Sequence, residues 1–491
     1  MPDRFHYGRI SDAVHGTFGI SELESDIIST PVFQRLHNVR QLGLAHLVYP
    51  GADYSRFAHS LGACHIAGRM MRGINQNCDK QYSEDDVQMY RLAGLLHDLG
   101  HYPFSHAMEF AALDYYKQEA FLAPDDESTK EEGEPKESSQ GANSDLPPPA
   151  YHHEPLGRAV LDYDVHIARV LKKHGIQSSD LKAVLSRENP SHLTNLVSSD
   201  LDCDRLDYLI RTAHCAGLPY GMVDIEYITS QMCVDSEGHL CLTKKAMRAA
   251  DHLLISRYYD YTQLVFHKTV VAMELVLRDV IAQLLECKLL DCSGRAMKEM
   301  ITKGEFASFD DQYMISKIRD AQRALKPEDP LFVKIGAVLN RRPPKLVASY
   351  EAIAPSEKSA RTAHKNLAHQ LREKMVQAAA HFGIPQELWH LWKTSLGLTK
   401  IGSRVPLSEA ASDSFEEEAS QSVRIMTTSS RDAASKSIPL VELDYAVMKQ
   451  MSQSRYYAVR LFVHLPEDAS SLRNEIRSYF QRELPDFPFS P

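Results

Sequence analysis

The sequence predicts a mainly α-helical protein that ends in a small α/β module. Three observations carry this reading. Apolar residues recur at helical spacing through long stretches of the first 285 residues. Strand chemistry is concentrated in one late run, 456–464, rich in Tyr, Val and Phe. Two polar stretches almost free of large apolar side chains, 123–149 and 407–437, divide the chain.

Each element follows from its pattern. Helical spacing predicts helices over 27–47, 61–75 and 87–96, the last through Val87, Tyr90, Leu92, Ala93, Leu95 and Leu96. Further helices are expected over 155–173, 193–215 and 247–285. These make one helical domain over 1–285, with 123–149 as an acidic loop inserted in it, because patterned sequence resumes on both sides. Residues 286–406 read as a helical extension. The Ser-, Ala- and Glu-rich segment 407–437 reads as a linker or long loop, with Val423-Arg424-Ile425-Met426 compatible with a strand. The module over 438–491 then contains the strand at 456–464 and a helix over 466–483.

Composition narrows the function. The 491 residues are 43% apolar and 24% charged, which is ordinary for a globular protein. A net charge of −10 argues against a protein that coats nucleic acid, and stable nucleic-acid binding is not expected. The cysteines form no Cys-x-x-Cys pair and read as reduced thiols of a cytoplasmic protein. The polar start lacks the apolar core of a signal peptide, and no run of about 18 apolar residues predicts a membrane span.

The chemistry lies in Gly94-Leu95-Leu96-His97-Asp98-Leu99-Gly100-His101-Tyr102-Pro103-Phe104-Ser105-His106. Gly100 and Pro103 end a helix, so His97 and Asp98 stand side by side at its C-terminal end. Imidazole beside carboxylate suits one divalent metal with mixed nitrogen and oxygen ligands. Two residues do not complete such a site. His59, at the start of a helix behind Arg56, supplies an upstream ligand, although alone it would read as a capping or surface histidine. Asp204 supplies a downstream one. On a helix, Asp204, Tyr208 and Arg211 share a face, so that a carboxylate, a phenol and a guanidinium would meet one ligand. The plainer reading of that helix is a solvated surface with an Asp207–Arg211 ion pair.

The order His59, His97-Asp98, Asp204 resembles that of the HD-domain metal-dependent phosphohydrolases. A longer set resembles the deoxynucleoside triphosphate triphosphohydrolase branch of that family. It comprises Phe33-Gln34-Arg35-Leu36, Arg40-Gln41-Leu42-Gly43, Tyr49-Pro50-Gly51-Ala52, residues 56–62 and 97–106, His153-Glu154, and residues 202–211. The resemblance covers about residues 8–280, and the stretches 218–224 and 256–277 look closer to bacterial members.

The resemblance implies an HD-domain helical core and a role for each matching residue. His59, His97, Asp98 and Asp204 would bind one divalent metal: Mn, Fe, Ni, Co or Mg. His106 would be the acid near the leaving oxygen, with Glu109 supporting it. His101 and His153 would face the phosphates, and Glu154 would orient an imidazole. Arg56, Arg205, Tyr208 and Arg211 would hold triphosphate or sugar, with Gln41 and Leu42 against the deoxyribose. Thr212 departs from the family's Asp at the sugar 3′-hydroxyl but can still accept a hydrogen bond. Val265 and Phe266 stand where the mammalian enzyme stacks a Tyr on the base, with Tyr258, Tyr259 and Tyr261 as substitutes. Ser29 and His37 replace an Asp and an Arg that read an activating guanine nucleotide, so that activation is not expected to carry over, and any nucleotide activator stays unnamed.

The implied reaction converts a dNTP to deoxynucleoside and inorganic triphosphate, in a cytoplasmic homo-oligomer. The alternatives are an HD hydrolase of another phosphate ester, such as a nucleoside monophosphate, a cyclic nucleotide or an alarmone, and a nucleotide-binding regulatory module with a structural metal.

Overall fold

The computed structural model describes residues 4–79, 81–122, 148–185, 193–397, 422–428, 435–466 and 468–490. The fold is mainly α-helical, with small sheets added to a helical body. An antiparallel hairpin, β1 (Gly8–Asp12) and β2 (Gly16–Ile20), opens the chain. Helices α1 (Arg56–Asn77) and α2 (Glu84–Leu96) pack side by side at the centre. A Cβ at Gly94 would lie 2.9 Å from the Ala63 carbonyl oxygen, so the small residue sets this close approach. Ser83 and Asp86 form a capping box at the start of α2, and Glu84, Asp85 and Asp86 complement its dipole.

Helices α3 (His106–Leu122) and α4 (His153–Tyr163) follow, and α5 (Cys203–Ala216) packs on α1. Then come α6 (Met247–Tyr259), a π-helical turn (Asp260–Val265) and α7 (Lys268–Glu286). The body continues through α8 (Asp311–Arg323).

Several expected helices are shorter or broken, each for a local reason. The 27–47 stretch ends its helix at Ile28, because Thr30 is extended before Pro31; short turns follow and Gly43 takes φ 50°. The 155–173 stretch breaks at Asp164, whose carboxylate accepts the His166 and Ile167 N–H groups and starts a second helix. In 193–215 the helix begins only at Cys203, since Asp202 caps it while also accepting the Ser199 N–H. The 247–285 stretch is interrupted by the π-turn.

The extension 286–406 is not wholly helical. It contributes β5 (Lys345–Pro355) and β6 (Trp389–Gly397), which flank β9 (Ser454–Val463) in a three-stranded antiparallel sheet. Helices α9 (Lys358–Phe382) and α10 (Ser470–Glu483) pack there around Leu371, Leu461 and Phe480. The terminal module is therefore built from both segments and not from 438–491 alone.

Within the expected linker, 398–421 and 429–434 lie outside the described residues. Residues 424–426 do form a strand, β7 (Arg424–Met426). It joins β3 (Met232–Val234), β4 (Leu240–Leu242) and β8 (Ser437–Pro439) in one sheet, and Val423, Ile425 and Met426 enter the main core. Of the acidic insertion, 123–147 lies outside the described residues. Its last prolines are anchored, with the Gly294 N–H donating to the Pro149 carbonyl at 3.0 Å.

Candidate active site

The four candidate metal ligands meet at one corner. His59 rides the first turn of α1, capped where Ser55 accepts the Ala58 N–H. His97 closes α2, Asp98 follows it, and Asp204 lies in the first turn of α5. The Nε2 atoms of His59 and His97 are 3.3 Å apart. Asp204 Oδ1 lies 3.0 Å from the first and 3.7 Å from the second. Asp98 approaches His59 Nε2 to 3.6 Å and His97 Nε2 to 3.3 Å.

The opposite ring nitrogens are fixed. His59 Nδ1 bonds Asp207 at 2.7 Å, and His97 Nδ1 bonds the Gly94 carbonyl at 2.8 Å. These acceptors place the protons on Nδ1 and turn both Nε2 lone pairs to the corner. His59, His97 and Asp98 so arranged could hold one divalent ion, with the Asp204 carboxylate beside the two rings. Burial opposes a charge on His59, yet Asp204 and Asp207 push it up to about 10, so the corner favours a cation, a proton on His59 or a metal in its place.

Asp207, fully buried, is the hub behind His59 and was weighed in the sequence only as an ion-pair partner. It accepts His15 Nε2 at 2.6 Å as well as His59 and Arg211. A Cβ on Gly62 would lie 1.8 Å from its Oδ1, which explains the glycine after Leu61. Arg211 also bonds Asp12 through both Nη atoms. Its donors are engaged by Asp207 and Asp12, where the sequence reading expected a grip on triphosphate or sugar.

Asp98 also links the corner to a histidine cluster. His101 Nε2 lies 3.1 Å from Asp98 Oδ1, and its buried Nδ1 has no hydrogen-bond partner among the described residues. Burial, with Arg56 and His153 nearby, holds His101 well below the usual histidine range, so the ring is neutral. It stacks on His153 at 4.0 Å, and His106 stands edge-on to both. Glu109 binds the rest: it accepts His106 Nδ1 at 3.0 Å, His153 Nδ1 at 2.9 Å, the His153 N–H at 3.0 Å and His152 Nδ1 at 3.3 Å. Burial works against its charge, yet His153, His106 and His152 hold it well below the usual carboxylate range. Glu109 therefore orients the His153 ring, the task expected of Glu154. His152 went unnoticed in the sequence beside His153. His106, 47% exposed at its side chain, faces outward from the cluster.

The turn between His101 and His106 is strained. Phe104 and Ser105 take φ 55° and 56°, left-handed values that cost non-glycine residues on the order of 1–3 kcal/mol each. Buried Arg56 bonds Asp98, donates from Nε to Ser105 Oγ at 3.0 Å and approaches the Gln41 carbonyl at 3.4 Å. It thus braces Asp98 and the turn, a different task from the substrate grip expected of it. Arg35 donates to the carbonyls of Leu99, His101 and Phe309 at 2.8–3.0 Å.

The opposite wall carries a residue that sequence reasoning missed. Arg205 Nη1 and Arg257 Nη1 both bond the same oxygen of Asp200, at 2.6 and 2.8 Å. Arg257 is 1% exposed, and its Nε and Nη2 have no partner among the described residues. Arg205 is also paired with Asp202, whose Oδ2 lies 3.7 Å from its Nε, so the donors left for an anion are those of Arg257. Tyr208 and Tyr261 feel both arginines, and Arg205 and Tyr261 also feel Asp204. Nothing local marks Arg257, since its partner Asp200 is 57 residues away.

The expected sugar residues separate. Gln41 keeps a buried Oε1 without a partner among the described residues, while Leu42 packs with Ala45, Ala52 and Leu264. Thr212 is fully buried and its hydroxyl bonds Tyr54 at 2.7 Å, so it does not stand open to a sugar. Phe266 is buried against Trp392 and Tyr456, away from a base-stacking role. Among the described residues, no helix is long and apolar enough to cross a membrane.

Comparison with known proteins agrees with this geometry. The HD domain family matches residues 56–209. An uncharacterized protein of Methanocaldococcus jannaschii, MJ1154, is 30% identical over 313 residues, covering 63% of this chain and 57% of its own. The human deoxynucleoside triphosphate triphosphohydrolase SAMHD1 is 31% identical over 246 residues, 48% of this chain and 38% of its own. The chain spans about half the length of the curated relatives it matches. The crystal structure of a phosphohydrolase from Bacteroides thetaiotaomicron shares the fold at TM-score 0.63 and 21% identity, covering 92% of this chain and 99% of that one. HD domains bind a divalent metal, and His59, His97 and Asp98 here could hold one. Residues 56–209 match the HD domain family, and the chain is similar to the SAMHD1 deoxynucleoside triphosphate triphosphohydrolases as well as to uncharacterized archaeal and bacterial proteins.

Proposed function

We propose that this site cleaves dNTPs to deoxynucleoside and inorganic triphosphate. The observation that carries the reading is the sharing of Asp98 between the ligand corner and the histidine cluster, through His101 at 3.1 Å. Phosphorus held at the corner therefore has its leaving oxygen beside imidazole.

His59, His97, Asp98 and Asp204 would hold the ion, which supplies Lewis-acid polarisation of a phosphoryl oxygen. Arg257, through Nε and Nη2, pairs with the remaining phosphates. Glu109 holds His106 at the mouth of the cluster, where its free nitrogen delivers a proton to the 5′ oxygen as water adds to the α-phosphorus and the bond to that oxygen breaks, the proton of the added water passing to solvent. Gln41 Oε1 accepts a sugar hydroxyl.

The test is a panel of four dNTPs and four NTPs with each candidate metal, followed by separation of the products. Triphosphate with deoxynucleoside is expected, with dNTPs cleaved at least about tenfold better than NTPs, the discrimination that an unsatisfied buried hydroxyl gives. Orthophosphate, or turnover confined to monophosphates or cyclic nucleotides, would overturn the reading.

A further inference from the structure

The strained turn that carries the histidines is closed from outside the HD match. Asp310 and Asp311 stand in tandem at the start of α8 and divide two tasks. Asp310 caps the helix by accepting the Tyr313 N–H at 2.9 Å. Asp311, fully buried, reaches away from its own helix. Its Oδ1 accepts the Phe104 N–H at 2.7 Å, and its Oδ2 accepts the Arg40 N–H at 3.2 Å. Two residues earlier, the Phe309 carbonyl accepts Arg35, which also bonds the carbonyls of Leu99 and His101. The start of α8 is thus fastened to both ends of the turn.

The Phe104 N–H is the donor most exposed to loss. With φ near 55° at Phe104 and Ser105, the chain turns away from regular partners. Ser105 has its own anchors, donating Oγ–H to the Arg40 carbonyl at 2.8 Å and accepting Arg56 Nε. The Phe104 N–H is accepted by Asp311. Without it, the left-handed pair relaxes toward ordinary backbone, and His106, two residues on, swings with it. His59 is held by α1 and Asp207, His97 by the end of α2 and the Gly94 carbonyl, and Asp98 by Arg56, so they stay.

We propose that Asp311 is a positioning residue for the histidine acid: it holds the 101–106 turn in its strained form and so keeps His106 and His101 aligned on the leaving oxygen. The proposal rests on the reading of the site given above. It places the determinant of acid geometry in the extension, outside the 56–209 match.

The test compares wild type, Asp311→Ala and Asp311→Asn on a dNTP and on bis(p-nitrophenyl) phosphate. The second substrate has a leaving group that needs no proton. Asp311→Ala should lower kcat on the dNTP about 10–100-fold, the usual result of a small misplacement of a catalytic group. KM and bound metal should stay near wild type, and the nitrophenyl ester should be turned over almost unchanged. Asp311→Asn should restore part of the loss, because its amide oxygen still accepts the Phe104 N–H while its NH2 no longer accepts the Arg40 N–H. It also serves if the alanine variant melts below the assay temperature, and it should then show a smaller loss on the dNTP and near wild-type turnover of the ester. Equal losses on both substrates, loss of metal, or no recovery with Asn would overturn the positioning role while leaving the substrate reading intact. Wild-type protein that cleaves the ester but no dNTP would instead overturn the substrate reading, and this proposal with it.

Discussion

His59 donates its Nδ1–H to Asp207 at 2.7 Å, and this bond turns the opposite nitrogen of the ring toward His97, Asp98 and Asp204. The carboxylate behind the ligand is itself held by His15 and Arg211. The N-terminal hairpin is thereby tied to the corner, since Asp12 at the end of β1 holds the far side of Arg211.

That arrangement predicts the effect of Asp207→Asn. The amide keeps an acceptor for His59 but removes the charge that makes the ring a strong ligand. Metal affinity should fall about 10–100-fold. Titration of metal into stripped protein checks it, and unchanged affinity would remove Asp207 from the site.

Thr212→Asp should destabilise the protein and leave sugar choice unimproved. Thr212 is fully buried with its hydroxyl on Tyr54, so a carboxyl there lacks water and room. The cost should be at least about 2 kcal/mol, the lower end for a buried polar group without full compensation. Thermal melting reads it. A variant as stable as wild type with sharper dNTP preference would restore the sugar role read from the sequence.

Gln41→Ala should weaken recognition of the sugar. Its buried Oε1 lacks a donor among the described residues, and a sugar hydroxyl supplies one. Wild type should favour a dNTP over its 3′-deoxy analogue by about tenfold in kcat/KM, about 1.4 kcal/mol for one such bond, and the variant should not distinguish them. An undiminished preference in the variant would assign the hydroxyl to another residue.

Asp260 predicts a pH dependence of stability. Burial raises it to about 7 from 3.8, against the Tyr220 hydrogen bond and the charge of Arg257. The folded value lies above the unfolded one, so the group costs nothing below pH ~4, and its stability contribution is lost as pH rises toward ~7. The full loss is up to about 4 kcal/mol. Asp260→Asn keeps an acceptor for Tyr220 and removes that loss. Its stability relative to wild type should therefore rise between pH 4 and 8 in urea unfolding; a constant difference would contradict the shift.

The legible parts of the fold and site were those encoded locally. His97, Asp98, His101 and His106 lie within ten residues, and Asp204 opens a helix that Asp202 caps, so order and spacing pointed to the corner residues, while the family resemblance supplied the roles in the cluster. Residues joined only by tertiary packing were silent. Arg257 gains its meaning from Asp200 and Arg205, Asp311 from Phe104, and Glu109 gathers His152 and His153 across the insertion. Helical spacing also hid the π-turn at 260–265 and the strands at 345–355 and 389–397. The first continues an apolar helical pattern, and the strands find partners only in Ser454–Val463.

The central claim is that the bond broken joins the α-phosphorus to the 5′ oxygen, with His106 protonating that oxygen. Hydrolysis of a dNTP in ¹⁸O-water tests it most directly. The label should enter the inorganic triphosphate and be absent from the deoxynucleoside. Label in the deoxynucleoside hydroxyl, or in orthophosphate released from the γ position, would contradict the account.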